Sequence, residues 1–558
     1  MKRFLWLLIL LALASCGERD SGSCGAGGVP PVPHHAVIGP APGGTADPDG
    51  GLPAALTISG KVTYERLPVT PGGLDLLNPV VENASDVLVE AVAHSDINNV
   101  LGTATTDANG DYTLNFSTTV DYFVRARARS GAGLDMDAVY HSQTSPPIVH
   151  ALPGEVLNRA SGSQTVNLHG AADAANRAGA FAVLDTVQRL RAASTLTGLG
   201  PLDLFWGMGN AGTRFLANGS GQSITLATET GLDGPNGNPS IYLLGGDAAD
   251  VQNSDHDEFD ETVIAHEWAS FLQLTQSRDN NFGGPHFGEE LIFSASYSEG
   301  MVTAIGCALA GQSVYRDTLG YTGGVTSVQF EFDCESGLVP GSGTGYGNEF
   351  RVTRVVWDLF DGGTGSPPDT DADPSNIGMA DFLASFADLR ARAAPFEVAW
   401  LASLLQELID DARLSISDAN TIMATHGASF PPAGGDGFPP VLTVGGAADM
   451  GNLDAWSGTD PNPILGPQAN GLWRMELAGA QTVSIDVTNT TPGYNPARHR
   501  LDLTVHDLER NVVAQHIGDA ANKSVSVSLM PGTYLVRVQH APATQADSQP
   551  ASFMVQAQ

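Results

Sequence analysis

The sequence predicts a multidomain α+β protein, with a mixed helix-and-strand domain flanked by two β-sandwich domains. Three observations carry this. Between Leu56 and Arg129 apolar residues alternate in short runs; at about Ala171 their spacing becomes helical; after Phe430-Pro-Pro-Ala-Gly-Gly435 alternation returns. Side chains repeat every second residue along a strand and about every 3.6 along a helix, so each switch marks a change of architecture. At 558 residues the chain has room for several ordinary cores.

The chain opens on a basic Met1-Lys2-Arg3, then an apolar run from Phe4 to Ala14. That run is too short to anchor across a bilayer and reads as a secretory signal over 1–15. The following Leu13-Ala14-Ser15-Cys16 resembles the lipobox of bacterial lipoproteins, which implies cleavage before Cys16 and lipidation of its sulfur. Gly17 then fits outer-membrane sorting. Residues 16–54 are rich in Gly, Pro and Ser, cannot bury a core, and read as a flexible tether. The expectation is a lipid-anchored protein of the bacterial cell envelope, facing the periplasm or the cell surface. The formal net charge is −35, and Lys2, Lys61 and Lys523 are the only lysines. Such acidity excludes nucleic acid as a partner. It leaves the membrane, contacted through the N-terminal lipid, and a peptide or protein ligand.

Residues 55–170 supply the first sandwich. Leu56–Tyr64, Val87–Val92, Tyr112–Phe116 and Tyr122–Ala126 read as strands, and Thr106-Asp-Ala-Asn-Gly-Asp111 as a tight turn. This series resembles the carboxypeptidase regulatory-like β-sandwich, an accessory module without chemistry.

Residues 171–432 form the mixed domain. Phe181, Leu184, Val187 and Leu190 share one helical face over Ala174 to Ser194. Strand candidates follow at 202–206, 224–227 and 241–244. A helix from about Asp257 to Gln276 is opened by the acidic run Asp255-His-Asp-Glu-Phe-Asp260, whose charges suit a helix N-terminus. Further helices are expected over 290–309 and 350–360, and between Phe382 and Gly427. Cys307 and Cys334 are the cysteines of the folded region; in an oxidising compartment they are either a disulfide or two buried thiols.

The motif helix reads Val263-Ile-Ala-His266-Glu267-Trp268-Ala269-Ser270-Phe271-Leu272-Gln273. In an H-E-x-x-H helix, two histidines four apart bind one zinc ion and the glutamate acts as general base. Here the second histidine position holds Ser270, a poor zinc ligand. The continuation Ser277-Arg278-Asp279, Gly283-Gly-Pro-His286 and Ser298-Glu299-Gly300 resembles bacterial lipoprotein metallopeptidases of the gluzincin class, with their H-E-W-G-H helix. The resemblance implies a zincin-like metallopeptidase domain in which His266 is a zinc ligand, Glu267 the catalytic base and Glu299 a further zinc ligand. Ser270 has no counterpart role, His286 is a substitute ligand at most, and Ala269 replaces a glycine that allows close helix packing.

Residues 438–558 return to strands at 473–477, 483–487, 501–505, 525–529, 534–538 and 553–555, resembling the small sandwich that follows many secreted bacterial peptidases. Asp369-Thr-Asp371-Ala-Asp373 alternates carboxylates as calcium loops do, yet lacks the EF-hand glycine and distant glutamate; a solvated acidic loop is the competing reading. No G-x-S-x-G or phosphate-cradling loop is present. The leading expectation is a metallopeptidase homologue with impaired or absent proteolysis, zinc being weakly held or missing, acting in binding or scaffolding. An active zinc endopeptidase with an unusual ligand set and an adhesive envelope protein acting through its sandwiches stand beside it.

Overall fold

The computed structural model describes residues 54–131, 137–141, 147–173, 175–208, 224–226, 239–246, 253–282, 290–321, 326–336, 339, 346–361, 373–392, 398–430, 439–453, 470–541 and 549–558. The signal, Cys16, the tether, His286, Asp369 and Asp371 lie outside them. The architecture is mixed α/β and strand-rich, with several sheets and eight α-helices among the described residues.

The strand Ala54–Arg66 organises the first region. It pairs antiparallel with Asp111–Thr118 and Val80–Asn83, and parallel with the short strands Gln164–Thr165 and Leu168–Gly170. Asp111–Thr118 buries every second residue, as a strand over a core must. A second sheet holds Val100–Thr105, Val87–Ala93 and Tyr122–Ser130. The Asn-Gly turn therefore joins strands of two different sheets and forms a corner. Asp107 caps it by accepting from Asn109 N and Asp111 N, and Gly110 adopts φ 78°, the left-handed conformation that glycine takes without strain.

The second sheet continues past the expected boundary at 170/171. Through Ala138–His141 it reaches Asp203–Trp206, which lies parallel to it, and then Ser240–Tyr242. Helix α1 (Gly179–Ser194) packs its apolar face beneath, and one apolar core runs from Leu56 through Trp206 and Trp268 to Phe430. The first β-region and the mixed region are one packed body. Arg66 ties them together: buried at the end of its strand, it bonds Tyr64 OH, Asp185 of α1 (2.7 Å) and Glu261 (3.0 Å).

Helices α2 (Glu261–Gln276), α3 (Phe293–Ala310) and α4 (Glu349–Trp357) follow, then α5 (Met379–Asp388), α6 (Leu401–Asp410) and α7 (Ile416–Thr425). Between α3 and α4 lies an antiparallel pair, Val314–Leu319 with Ser327–Asp333. The C-terminal region comprises two four-stranded antiparallel sheets, Asp449–Leu453/Ala551–Ala557/Gln481–Asn489/Lys523–Leu529 and Asn470–Leu477/Gly532–His540/Leu501–Asp507/Val512–His516. They enclose their own core from Leu442 to Ala557, which includes Trp473, Val536 and Phe553.

Candidate functional site

Helix α2 buries Val263, Ile264, Ala265, Trp268, Ala269, Phe271 and Leu272, and leaves His266 and Ser270 half-buried on its remaining face, one turn apart. Helix α3 lies against that face. Its contact is made close by glycine: a Cβ on Gly306 would come within 2.7 Å of the Ala265 carbonyl, and one on Gly300 within 2.3 Å of the Glu349 carbonyl of α4. The close approach of α3 to α2 is therefore made by Gly306 of α3, beside Ala265.

That packing brings His266 and Glu299 together, with Nε2 3.4 Å from Oε2. Thr303, one turn beyond Glu299, donates its single hydroxyl proton to the Glu299 carbonyl (2.8 Å). Its oxygen is then free to accept from Nδ1–H of His266 at 2.9 Å, which turns Nε2 toward Glu299. Asn281 donates to the other Glu299 oxygen at 2.6 Å. Glu267 is buried, and Tyr315 lies edge-on to His266 with ring centroids 6.1 Å apart. Burial raises the Tyr315 hydroxyl well above its ordinary range, and the charges of Asp317, Asp257 and Glu267 push the same way.

Do these residues fit zinc? Two bonds of about 2.0–2.1 Å at a tetrahedral angle separate ligand atoms by about 3.4 Å, so Nε2 and Oε2 stand at a spacing one metal ion would accept. A catalytic zinc takes three protein ligands. The Ser270 hydroxyl instead donates to the His266 carbonyl at 3.2 Å, inside its own helix. Among the described residues no third His, Cys or carboxylate completes a ligand group with this pair. Among the described residues the donor set stops at two, one short of a catalytic zinc; His286 lies outside them.

The segment after α2 fastens the site to its surroundings. Ser277 donates to the Phe386 carbonyl, Asn280 accepts from Ala399 N (2.7 Å) and donates to the Leu508 carbonyl (2.9 Å), and Arg510 reaches both the Asn281 carbonyl and Asp279. Asn281 therefore joins Glu299 to the C-terminal sandwich through one residue. Burial raises the Asp279 carboxyl above its usual range, against the opposing pull of Arg510.

Cys307 and Cys334 are buried free thiols, the second of the two states their spacing allowed. The Cys334 thiol is raised by burial first and then by its hydrogen bond with Cys307. Of the carboxylate triplet, Asp373 stands near Asp361, whose carboxyl is pushed up to about 9 by burial, by a hydrogen bond with Glu335 and by the charges of Glu335, Asp358 and Asp373.

The acidic run before α2 does not open the helix as expected. Only Glu261 lies in the first turn. Asp260 turns back to accept from the amide and hydroxyl of Thr318, while Asp255 and Asp257 meet Asp317 on the neighbouring strand. Neither that strand nor Asp317 was expected from the sequence, although Ser327-Val-Gln-Phe-Glu-Phe-Asp333 opposite it alternates as strands do.

No protein-family model matches the chain, and no curated protein matches it. Among solved structures, the pre-peptidase C-terminal domain of a collagenase from Bacillus anthracis is similar over 22% of this chain and 94% of that one, at 13% identity and a TM-score of 0.16. PliG of Aeromonas hydrophila, a periplasmic inhibitor of g-type lysozyme, covers 22% of this chain and 99% of its own, at 13% identity and a TM-score of 0.14. A fucose-binding module of Streptococcus pneumoniae covers 20% and 90%, at 18% identity and a TM-score of 0.12. Each likeness touches a small part of this chain and assigns it no activity.

Proposed function

We propose that the chain is a cell-envelope lipoprotein whose mixed region descends from a gluzincin frame and has given up metal-dependent hydrolysis for binding a peptide or protein ligand. The observation that carries this is the state of the motif face. His266 and Glu299 hold each other at 3.4 Å, and Ser270, in the place of the second histidine, spends its hydroxyl on its own helix. With Nδ1–H given to Thr303, the ring offers a proton to Glu299 from Nε2 as the imidazolium, and in that form the pair holds α2 to α3 without a metal. The lipid anchor rests on Leu13-Ala14-Ser15-Cys16 alone.

The test is zinc content of the full-length chain after dialysis, wild type beside Ser270→His, with casein cleavage measured on both. Zinc bound only by the histidine variant supports the reading, as does absence of cleavage by wild type. Stoichiometric zinc in wild type with chelator-sensitive cleavage overturns it in favour of a working endopeptidase. Zinc in neither chain removes the gluzincin frame itself and leaves the sandwiches as the place to look.

A further inference from the structure

The carboxylates that leave the start of α2 gather where the loop 253–257 meets the end of the strand Val314–Leu319. Asp255 forms an isolated bridge with Leu319, and the Ser254 carbonyl accepts from Gly320 N at 2.9 Å. Carboxylate oxygens of Asp255, Asp257 and Asp317 lie within 4.8 Å of one another. Asp260 stands behind them, fully buried and held by Thr318.

Two features separate this group from a solvated acidic patch. Asp255 and Asp317 are half-buried, and Asp257 and Asp260 are fully buried. The Oδ1 atom of each is sealed from water and has no hydrogen-bond partner among the described residues. The charges acting on Asp255, Asp260 and Asp317 are carboxylates, one another's and that of Asp257. Asp257 accepts from Leu244 N and Asp260 from Thr318, whereas a buried carboxylate oxygen without a donor, as Asp255 and Asp317 each carry, is costly. The other close carboxylate group, Asp388, Glu407 and Asp411, differs on both counts: it is largely exposed, and Arg392 sits on Glu407.

We propose that Asp255, Asp257 and Asp317 bind a divalent cation of the calcium class. The donor set is all oxygen and all anionic, which suits a hard ion and gives no preference to zinc or copper. The ion would supply the missing positive charge and pin the loop before α2 to the strand that carries Tyr315 and Asp317. Burial and mutual repulsion raise all of Asp255, Asp260 and Asp317 well above the ordinary carboxylate range, the direction expected of a cation site without its cation. The inference is independent of the His266–Glu299 reading.

The experiment is thermal unfolding of the full-length chain in chelator and in millimolar calcium, wild type beside Asp317→Asn, with calorimetric titration of calcium. For wild type, calcium raises Tm by about 2–4 °C and titrates with one ion at this site. Asn is isosteric with Asp and removes one repelling charge. Asp317→Asn therefore melts higher than wild type in chelator and loses the calcium shift, an outcome a merely misfolded variant cannot give. Asp255→Asn gives the same pair of changes. A wild-type Tm indifferent to calcium overturns the proposal, as does a full calcium shift retained by Asp317→Asn. A response to magnesium without one to calcium overturns the calcium assignment.

Discussion

The two β-regions of this chain are joined to the helices in opposite ways. The first shares a sheet and an apolar core with them, crossing 170/171 without a break, and Arg66 is buried at the join. The C-terminal sandwich closes its own core and meets the rest through mainly polar contacts of Asn280, Asp279, Arg390 and Arg510, with the Phe282 ring set against His506 and Arg537. The difference teaches where cooperativity ends. A shared core makes two regions one folding unit, whereas polar docking of a finished core leaves two units that support one another.

Three arginines grade that contrast. Arg66 is 10% exposed and faces two carboxylates that Arg189 also pairs, so Arg66→Ala leaves Asp185 and Glu261 one partner each and should cost about 2–4 kcal/mol through lost charge-assisted bonds and packing. Denaturant unfolding should lose the first region and the helices in one transition. If they separate, the shared core is not the coupling. Arg510 is 31% exposed and pairs with the buried Asp279, so solvent screens part of the loss. For Arg510→Ala we expect about 1–3 kcal/mol, read in calorimetry as a C-terminal transition split from the main one.

The same variant sharpens the comparison by pH. Asp279 is already raised in the folded state, so its favourable contribution is full in acid and is lost as pH climbs through the folded value. Removing Arg510 raises that value further. The stability gap between wild type and Arg510→Ala should therefore be small in the acid carboxylate range and widen toward neutrality, measured as Tm across a pH series. A gap that narrows with rising pH would mean that Arg510 acts through packing. Smallest of all, Arg390→Ala breaks an ion pair with Glu509 in which both partners are more than two-fifths exposed, and should change stability by about 0–1 kcal/mol. A larger loss would mean that its bond to the Thr275 carbonyl carries the contact.

Much of this was legible in the residues, for identifiable reasons. Alternation at Asp111–Thr118 and Ala551–Ala557 and the apolar stripe of α1 are local patterns, and the elements formed where those patterns lie. His266 and Glu299 could be paired because a motif fixes which face of each helix matters. The break at 170/171 was misleading, because a change of period marks a change of element, and one sheet can recruit strands from both sides of it. The run Asp255–Asp260 looked like a helix opener because its charge was visible and its partner was not. Asp317 lies far along the chain on a strand whose register no local rule supplies. Ala269 looked like a loss of close packing, because the glycine that lets α3 approach α2, Gly306, stands in the other helix.

The glycines of α3 bear on how substitution data for this protein should be read. Gly300 follows Glu299 directly and Gly306 lies three residues beyond Thr303 on α3, and both touch neighbouring backbone that a methyl group would displace. A saturation scan would therefore report an intolerant stretch running from Glu299 to Gly306 even if nothing there ever meets a substrate. Such a profile would have the outline of catalysis and the cause of carpentry. The informative positions are the ones the backbone leaves unconstrained, His266 and Ser270, where tolerance would speak for chemistry already abandoned.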